Sequence, residues 1–332
     1  MNRQVQQQIK GFLTQDGAGV NLVRVLGNQT SRVFDPILML DSFDSQNPED
    51  YTAGFPMHPH RGIETISYVV QGQMEHRDSL GYSDTISDGE VQWMTAGSGI
   101  MHEEMIPETN RLLGVQLWLN LPQKDKMTSP AYHSIKKEMI RQIDVEGGSI
   151  RLLAGNYKNY SGYQGKYLPL DYYDIRLDSE SEITIDTDTD RSVMLFTLSG
   201  EAVIAGTHIT EKTAVKLTKG DQVSLYNPGQ KPNNILFISS MTLSESISWG
   251  GPIVMNTQEE LEKAFEELRA VSGKNVQEGY MYIFAGAIQG IRNPKAHDNM
   301  NIAREDAIKR LVFASLLMDK VDEALLFSKL TE

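Results

Sequence analysis

The sequence contains no cysteine, which excludes disulfide bonds and the cysteine-ligated zinc sites that stabilise many small domains. No apolar run approaches the ~20 residues that a transmembrane helix requires. Basic residues are scarce beside acidic ones, 31 against 44, and the net charge of −13 disfavours non-specific binding to nucleic acid. The first ten residues are too polar for a secretory signal. We therefore expect a cytoplasmic protein that binds no membrane and is unlikely to bind nucleic acid.

Histidine is also scarce, and its distribution is the main clue to chemistry. Three of the seven histidines fall in two short segments, Phe55–Glu64 and Gly99–Glu104. His58 and His60 are two residues apart, as are His102 and Glu104, and residues at that spacing share one face of an extended strand. Two such strands lining one barrel would bring three imidazoles and a carboxylate together.

A histidine pair alone is weak evidence, because two solvated histidines on an edge strand or in a turn give the same pattern. Two observations favour the metal site. The histidines are concentrated in two segments that complement each other, and Pro59 restricts the residue before it to extended backbone. An N3O ligand set with room for substrate suits a redox-capable divalent metal, namely iron, manganese, nickel or copper.

The rest of the chain has the turn pattern of an all-β protein. Short strands rich in β-branched and aromatic residues alternate with glycine turns, for example the Asp88-Gly89 hairpin signal before Val91–Met94. A second β-rich block spans about 170–245. It contains one histidine, His208, and no His-x-His pair, so the same ligand set cannot form there.

Four segments resemble the pirin family. They are His58-Pro-His-Arg-Gly-Ile-Glu-Thr65, Glu75-His-Arg-Asp-Ser79, Val91-Gln-Trp-Met-Thr-Ala-Gly97 and Gly114-Val-Gln-Leu-Trp-Leu-Asn-Leu-Pro122. The resemblance runs from about residue 15 to about residue 270. It implies a mainly β bicupin, with two antiparallel β-barrel (cupin) domains in one chain and a mononuclear non-haem iron in the first barrel. The expected domains are 1–125 with the metal, 126–255 without it, and a helical extension over 256–332.

The resemblance also implies the site and two alternative functions. The iron ligands would be His58, His60, His102 and Glu104. Glu64 is then expected to support the site or the fold, and His76 to be a hydrogen-bonded structural histidine. Some pirins cleave flavonols such as quercetin, which would make the chain a dioxygenase with Glu104 as catalytic base. The alternative is an iron-dependent, redox-sensing regulator that acts through protein partners without turnover.

The extension beyond the bicupin is predicted to be helical. Thr257 and Glu260 form a capping-box pattern before an apolar stripe that should end before Gly273. Two further helices are expected at about 278–291 and 302–317, which resemble the C-terminal part of a HEPN-type helical domain. Arg292 and His297 have the spacing of the HEPN nuclease pair, but Arg-Asn-Pro is also an ordinary way to end a helix. We therefore expect a module for partner binding or self-association rather than a nuclease.

Overall fold

The computed structural model describes the backbone of residues 1–271 and the side chains of residues 1–267. The described chain consists mostly of antiparallel β-strands, as the sequence predicts, and ends in one helix. The first thirteen strands are β1 (Val5–Lys10), β2 (Phe12–Asp16), β3 (Val20–Leu26), β4 (Ile37–Ser45), β5 (Phe55–His60), β6 (Ile63–Gln71), β7 (Met74–Asp78), β8 (Ser83–Ile86), β9 (Glu90–Thr95), β10 (Ile100–Met105), β11 (Leu112–Asn120), β12 (Ala131–Ile135) and β13 (Arg141–Val145). The remaining elements are β14 (Gly148–Ala154), β15 (Asn156–Tyr157), β16 (Tyr160–Ser161), β17 (Leu170–Leu177), β18 (Glu182–Asp186), β19 (Ser192–Ser199), β20 (Ala202–Ile204), β21 (Thr207–Ile209), β22 (Thr213–Leu217), β23 (Gln222–Tyr226), β24 (Asn233–Ser240), β25 (Ser248–Gly250), β26 (Ile253–Met255) and α1 (Gln258–Val271).

The strands build two barrels, each from one large and one small sheet. In the first barrel a seven-stranded sheet, β12-β9-β6-β11-β4-β3-β2, faces a four-stranded sheet, β5-β10-β7-β8. In the second barrel a seven-stranded sheet, β1-β22-β19-β24-β17-β14-β13, faces β18-β23-β20-β21. This is the bicupin architecture that the sequence predicts.

The two large sheets pack against each other through their outer faces. Ile66, Tyr68 and Trp93 of the first barrel share one buried apolar cluster with Tyr172 and Phe196 of the second. The interior of the second barrel is a separate apolar cluster that includes Ile150, Leu195 and Phe237.

Two strands belong to a different barrel from the one that their position in the chain suggests. The N-terminal strand β1 pairs with β22 of the second barrel, and β12 pairs with β9 of the first. Strand β26 lies beside the first barrel, where Val254 N donates to Arg61 O at 3.0 Å. The domain boundaries at 125/126 and 255/256 stay predictions.

The described part of the extension begins as predicted. In α1 the amide of Glu260 donates to Thr257 Oγ1 at 3.2 Å, and Glu260 Oε2 accepts from the amide of Thr257 at 3.1 Å, so the capping box is confirmed. Leu261 and Ala264 are buried against Ile253 and Met255. Within residues 1–271, no helix is long and apolar enough to cross a membrane. The helices predicted at about 278–291 and 302–317, with Arg292 and His297, lie outside the described residues.

Candidate metal centre

The two histidine segments form adjacent antiparallel strands in the small sheet of the first barrel. In the pairing of β5 with β10, His58 lies directly opposite His102. One ring nitrogen each from His58, His60 and His102 lies within 4.8 Å of the others. His60 and His102 are buried and His58 is half-buried, so solvent reaches the cluster on the His58 side.

The orientation of the first two rings is set by backbone carbonyls. His58 Nδ1 lies 2.8 Å from Pro56 O, and His60 Nδ1 lies 3.1 Å from Pro252 O. A carbonyl oxygen only accepts, so each neutral ring carries its proton on Nδ1 and leaves a lone pair on Nε2. The two Nε2 atoms are 3.1 Å apart. Two lone pairs at that distance repel each other, and a cation that both nitrogens coordinate would remove this repulsion.

The third ring presents an unpaired nitrogen. His102 Nε2 is buried and has no hydrogen-bond partner among the described residues, while its Nδ1 lies 3.4 Å from His76 Nδ1. Burial lowers the pKa of both His60 and His102 well below the usual value, so these rings stay neutral. A neutral imidazole with a free Nε2 is the form that binds a metal ion, so the donor set fits one.

Glu104 lies two residues after His102, where alternation predicts it, but it is held by a different set of contacts. Its Oε2 accepts from Gln116 Nε2 at 2.7 Å, and its Oε1 accepts from Gln92 Nε2 and, at 3.3 Å, from Ser67 Oγ. The cluster of three ring nitrogens does not include Glu104. Its role as a fourth ligand therefore stays a prediction.

Gln92 and Gln116 were not predicted from the sequence as site residues, although a signal was present. Each is a polar residue flanked by apolar neighbours, Gln92 between Val91 and Trp93 and Gln116 between Val115 and Leu117. A buried polar side chain needs a partner. Both amides find it in the carboxylate of Glu104, inside the barrel.

Glu64 and Glu103 lie apart from the three histidines. Glu64 Oε1 accepts from Thr95 Oγ1 at 2.7 Å, and burial raises the pKa of Glu64. Glu103 lies 3.6 Å from Arg77 Nη1. Neither carboxylate belongs to the cluster of three ring nitrogens.

An apolar wall lies beside the histidines. Trp118 packs edge-on against His60 with ring centroids 4.9 Å apart, and Trp249 lies 5.8 Å from Trp118. Met39 and Met94 belong to the same apolar cluster. A wall of this composition can hold an aromatic ring near the metal centre and keep water away from it.

The segment of residues 248–255, which we call the C-terminal strap, packs on the strand that carries His60. A Cβ atom on Gly62, whose φ is +78°, would lie 2.0 Å from Val254 O, so glycine allows the close approach. Lys126 Nζ donates to Gly62 O at 2.8 Å and to Val254 O at 2.9 Å. The strap is thus fixed to the metal-binding strand and supplies the Pro252 carbonyl to His60.

Known proteins resemble this chain over most of its length. The family described as Pirin matches residues 19–119, and the Pirin C-terminal cupin domain matches residues 172–275. A pirin-like protein from Caulobacter vibrioides is 36% identical over 272 residues, which cover 80% of this chain and 98% of the relative. The family described as a protein of unknown function (Hypoth_ymh) matches residues 253–321, and the HEPN resemblance is not confirmed.

Two crystal structures illustrate the likeness in fold. Quercetin 2,3-dioxygenase from Acinetobacter baumannii superimposes with a TM-score of 0.75 at 29% sequence identity, covering 81% of this chain and 98% of that structure. A bacterial pirin from Escherichia coli in complex with nickel(II) has a TM-score of 0.55 at 20% identity, covering 71% and 98%. At that identity the second likeness concerns the fold alone.

Proposed function

The chain belongs to the pirin family, and from that premise we propose that it is a metal-dependent dioxygenase of the quercetin 2,3-dioxygenase type. The proposed ligands are His58, His60, His102 and Glu104. The proposed metal is Fe²⁺, with manganese, nickel and copper as the alternatives that the same donors accept. The proposed substrate is a small aromatic molecule with adjacent oxygen functions, such as a flavonol.

The main support for the metal site is the arrangement of three histidine ring nitrogens. One ring nitrogen each from His58, His60 and His102 lies within 4.8 Å of the others, and in His58 and His60 the proton is held away on Nδ1 by a carbonyl. No partner within residues 1–267 uses the Nε2 of His102. Buried polar atoms are normally satisfied, so an unpaired nitrogen facing two others supports a metal ion as the missing partner.

A bound redox-active metal would supply the activation of dioxygen and of the substrate's oxygen atoms. The protein would supply the catalytic base and an apolar wall that surrounds the substrate. Glu104 is proposed to accept the proton of a substrate hydroxyl, and the amides of Gln92 and Gln116 hold the carboxylate in place for it. The wall formed by Trp118, Met39 and Met94 would hold the substrate's aromatic ring and exclude water.

Oxygen uptake tests this proposal directly. The iron-loaded full-length chain, mixed with quercetin, should consume dioxygen in proportion to the quercetin lost. The double variant His58→Ala/His102→Ala should not. His133→Ala is the matched control, because His133 is exposed on β12 and lies outside the cluster. A wild-type protein that holds iron without consuming dioxygen would contradict the proposed activity.

A second candidate, a redox-sensing regulator, is favoured by one contact. Arg61 directly follows His60, and its Nη1 donates to Glu267 Oε2 on α1 at 2.8 Å. A change at the metal centre would thereby be transmitted to α1, the first helix of the extension. Retained iron without oxygen uptake, combined with partner binding or self-association that differs between the ferrous and ferric protein, would support this function instead. The proposed self-association through the C-terminal helices concerns residues outside the described part.

A further inference from the structure

The side chains of Asp78 and His76 form a hydrogen-bonded chain behind His102, the third histidine of the metal centre. Asp78 Oδ2 lies 2.9 Å from His76 Nε2, and His76 Nδ1 lies 3.4 Å from His102 Nδ1. These residues are on the neighbouring strands β7 and β10, where Asp78 is directly opposite His102. His58 and His60 have backbone carbonyls in the corresponding position. The orientation of His102 alone therefore depends on side chains.

The contacts of Asp78 determine where the protons lie. Its Oδ1 accepts from the backbone amides of Leu80 at 2.8 Å and Tyr82 at 3.1 Å. A carboxylate accepting on one oxygen from two amides presents its other oxygen as an acceptor to His76, so His76 Nε2 carries the proton. His76 Nδ1 then has a lone pair and accepts from His102 Nδ1. The proton of His102 is thereby kept off Nε2, which is left free for the metal.

The surroundings keep the chain in place. The side chains of His76 and Asp78 are both 0% exposed. The ring of Tyr132 stacks on His76 with centroids 4.2 Å apart and an interplanar angle of 16°. Water is thus excluded as an alternative partner for His76, and the ring is fixed in its plane.

We propose that Asp78 and His76 are positioning residues that set the tautomer of His102 and thereby make its Nε2 a metal ligand. The inference rests on the metal centre proposed above. A histidine with a hydrogen-bonded carboxylate behind it is a stronger donor to a metal ion, and loss of such a partner typically lowers metal affinity about 10–100-fold. The same range is expected for this pair.

The variant Asp78→Asn tests the proposal because it should exchange donor and acceptor in both hydrogen bonds, from residue 78 to His76 and from His76 to His102. The amide oxygen of Asn is needed for the two backbone amides, so its NH2 group would face His76 Nε2. His76 would then carry its proton on Nδ1 and donate to His102, which would move the proton of His102 to Nε2. Zinc affinity, measured in the full-length chain by competition with a chromophoric chelator, should fall about 10–100-fold.

Asp84→Asn is the matched control. Asp84 is on β8, directly opposite His76 in the strand pairing, but its carboxylate contacts the Thr85 amide and Lys136 Nζ. The control makes the same change of charge on the adjacent strand without touching the His76 ring. It should keep the zinc affinity of the wild type. Equal affinities for Asp78→Asn and the wild type would overturn the proposal.

Nitrogen-15 spectra of histidine-labelled protein give a readout that does not depend on the variant. In the metal-free wild type, His76 should be protonated at Nε2 and His102 at Nδ1. The opposite assignment would overturn the inference even if Asp78→Asn failed to fold. A wild-type protein that binds no zinc but shows the expected tautomers would instead contradict the proposed metal centre, while supporting the part of the inference that concerns the tautomer of His102.

Discussion

The carbonyl of Pro252 accepts a hydrogen bond from His60 Nδ1 at 3.1 Å, across 192 residues of sequence. This contact joins the C-terminal strap, which follows the second barrel, to the metal-binding strand of the first. The strap is held there by Lys126 and by two backbone bonds, in which Val254 N donates to Arg61 O and Arg61 N donates to Pro252 O. The end of the bicupin is therefore part of the candidate metal centre.

Two truncations should differ sharply in metal binding. A 1–273 protein keeps the strap and α1, whose Leu261 and Ala264 pack on it. We expect it to stay folded and to bind metal like the full-length chain. A 1–245 protein loses the carbonyl that orients His60 and exposes the apolar wall around Trp118. It should bind metal more weakly and unfold at a lower temperature, as metal analysis and thermal unfolding would show.

Light scattering on the same 1–273 protein tests the proposed role of the extension. The segment 282–291 is almost entirely apolar in the sequence, so we predict that it is buried against something. If that something is a second copy, the full-length chain should be a larger oligomer than the 1–273 protein. Aggregation of the 1–273 protein would instead mean that the residues after 273 are needed to complete the bicupin core.

Metal content should depend on the three histidines. Purified protein should carry close to one divalent metal ion per chain, and His58→Ala/His102→Ala should carry almost none, because two of the proposed ligands are lost. His208→Ala is a suitable control, since His208 is half-exposed in the second barrel and contacts Glu201. Elemental analysis decides the matter, and full occupancy in the double variant would place the metal elsewhere.

The variant Glu104→Gln distinguishes the role of this residue in metal binding from its role in catalysis. The substitution keeps the shape of the side chain but removes the charge and the ability to accept a proton. It also places an amide nitrogen opposite Gln92 or Gln116, each of which donates to the carboxylate in the wild type. We expect most of the metal to be retained and flavonol oxidation to fall by about 10²-fold or more. Glu103→Gln, on the adjacent residue, should keep wild-type activity; unchanged activity in Glu104→Gln would exclude the base role.

The sequence predicted those parts of the site that depend on local spacing. Alternation along a strand and the complementary motifs brought His58, His60 and His102 together on two adjacent strands. The place of Glu104 among the ligands stays a prediction. The capping-box spacing located the start of α1. The contacts that orient the ligands could not be predicted this way, because Pro252, His76 and Lys126 reach the site from distant segments. Their positions follow from the packing of the whole barrel, which leaves no periodic signal in the sequence.

Lys126 should make the stability of the fold depend on pH. It is 2% exposed, and burial lowers the pKa of its amine to about 7. Its three partners, Gly62 O, Val254 O and Asn120 Oδ1, are neutral acceptors. In the unfolded chain the amine keeps a pKa near 10.4. Between pH 7 and 10 the unfolded chain therefore holds a proton that the folded chain has lost, and the free energy of unfolding should rise with pH.

Denaturant unfolding of chelator-treated protein at several pH values measures this effect. The proton on Lys126 alone can contribute up to about 1.4 kcal/mol per pH unit across that window. Below pH 7 both states are protonated, so its contribution to the slope should vanish. Lys126→Met should lose this part of the slope while keeping the contributions of all other groups. Parallel pH profiles for the variant and the wild type would show that Lys126 keeps an ordinary pKa in the folded protein.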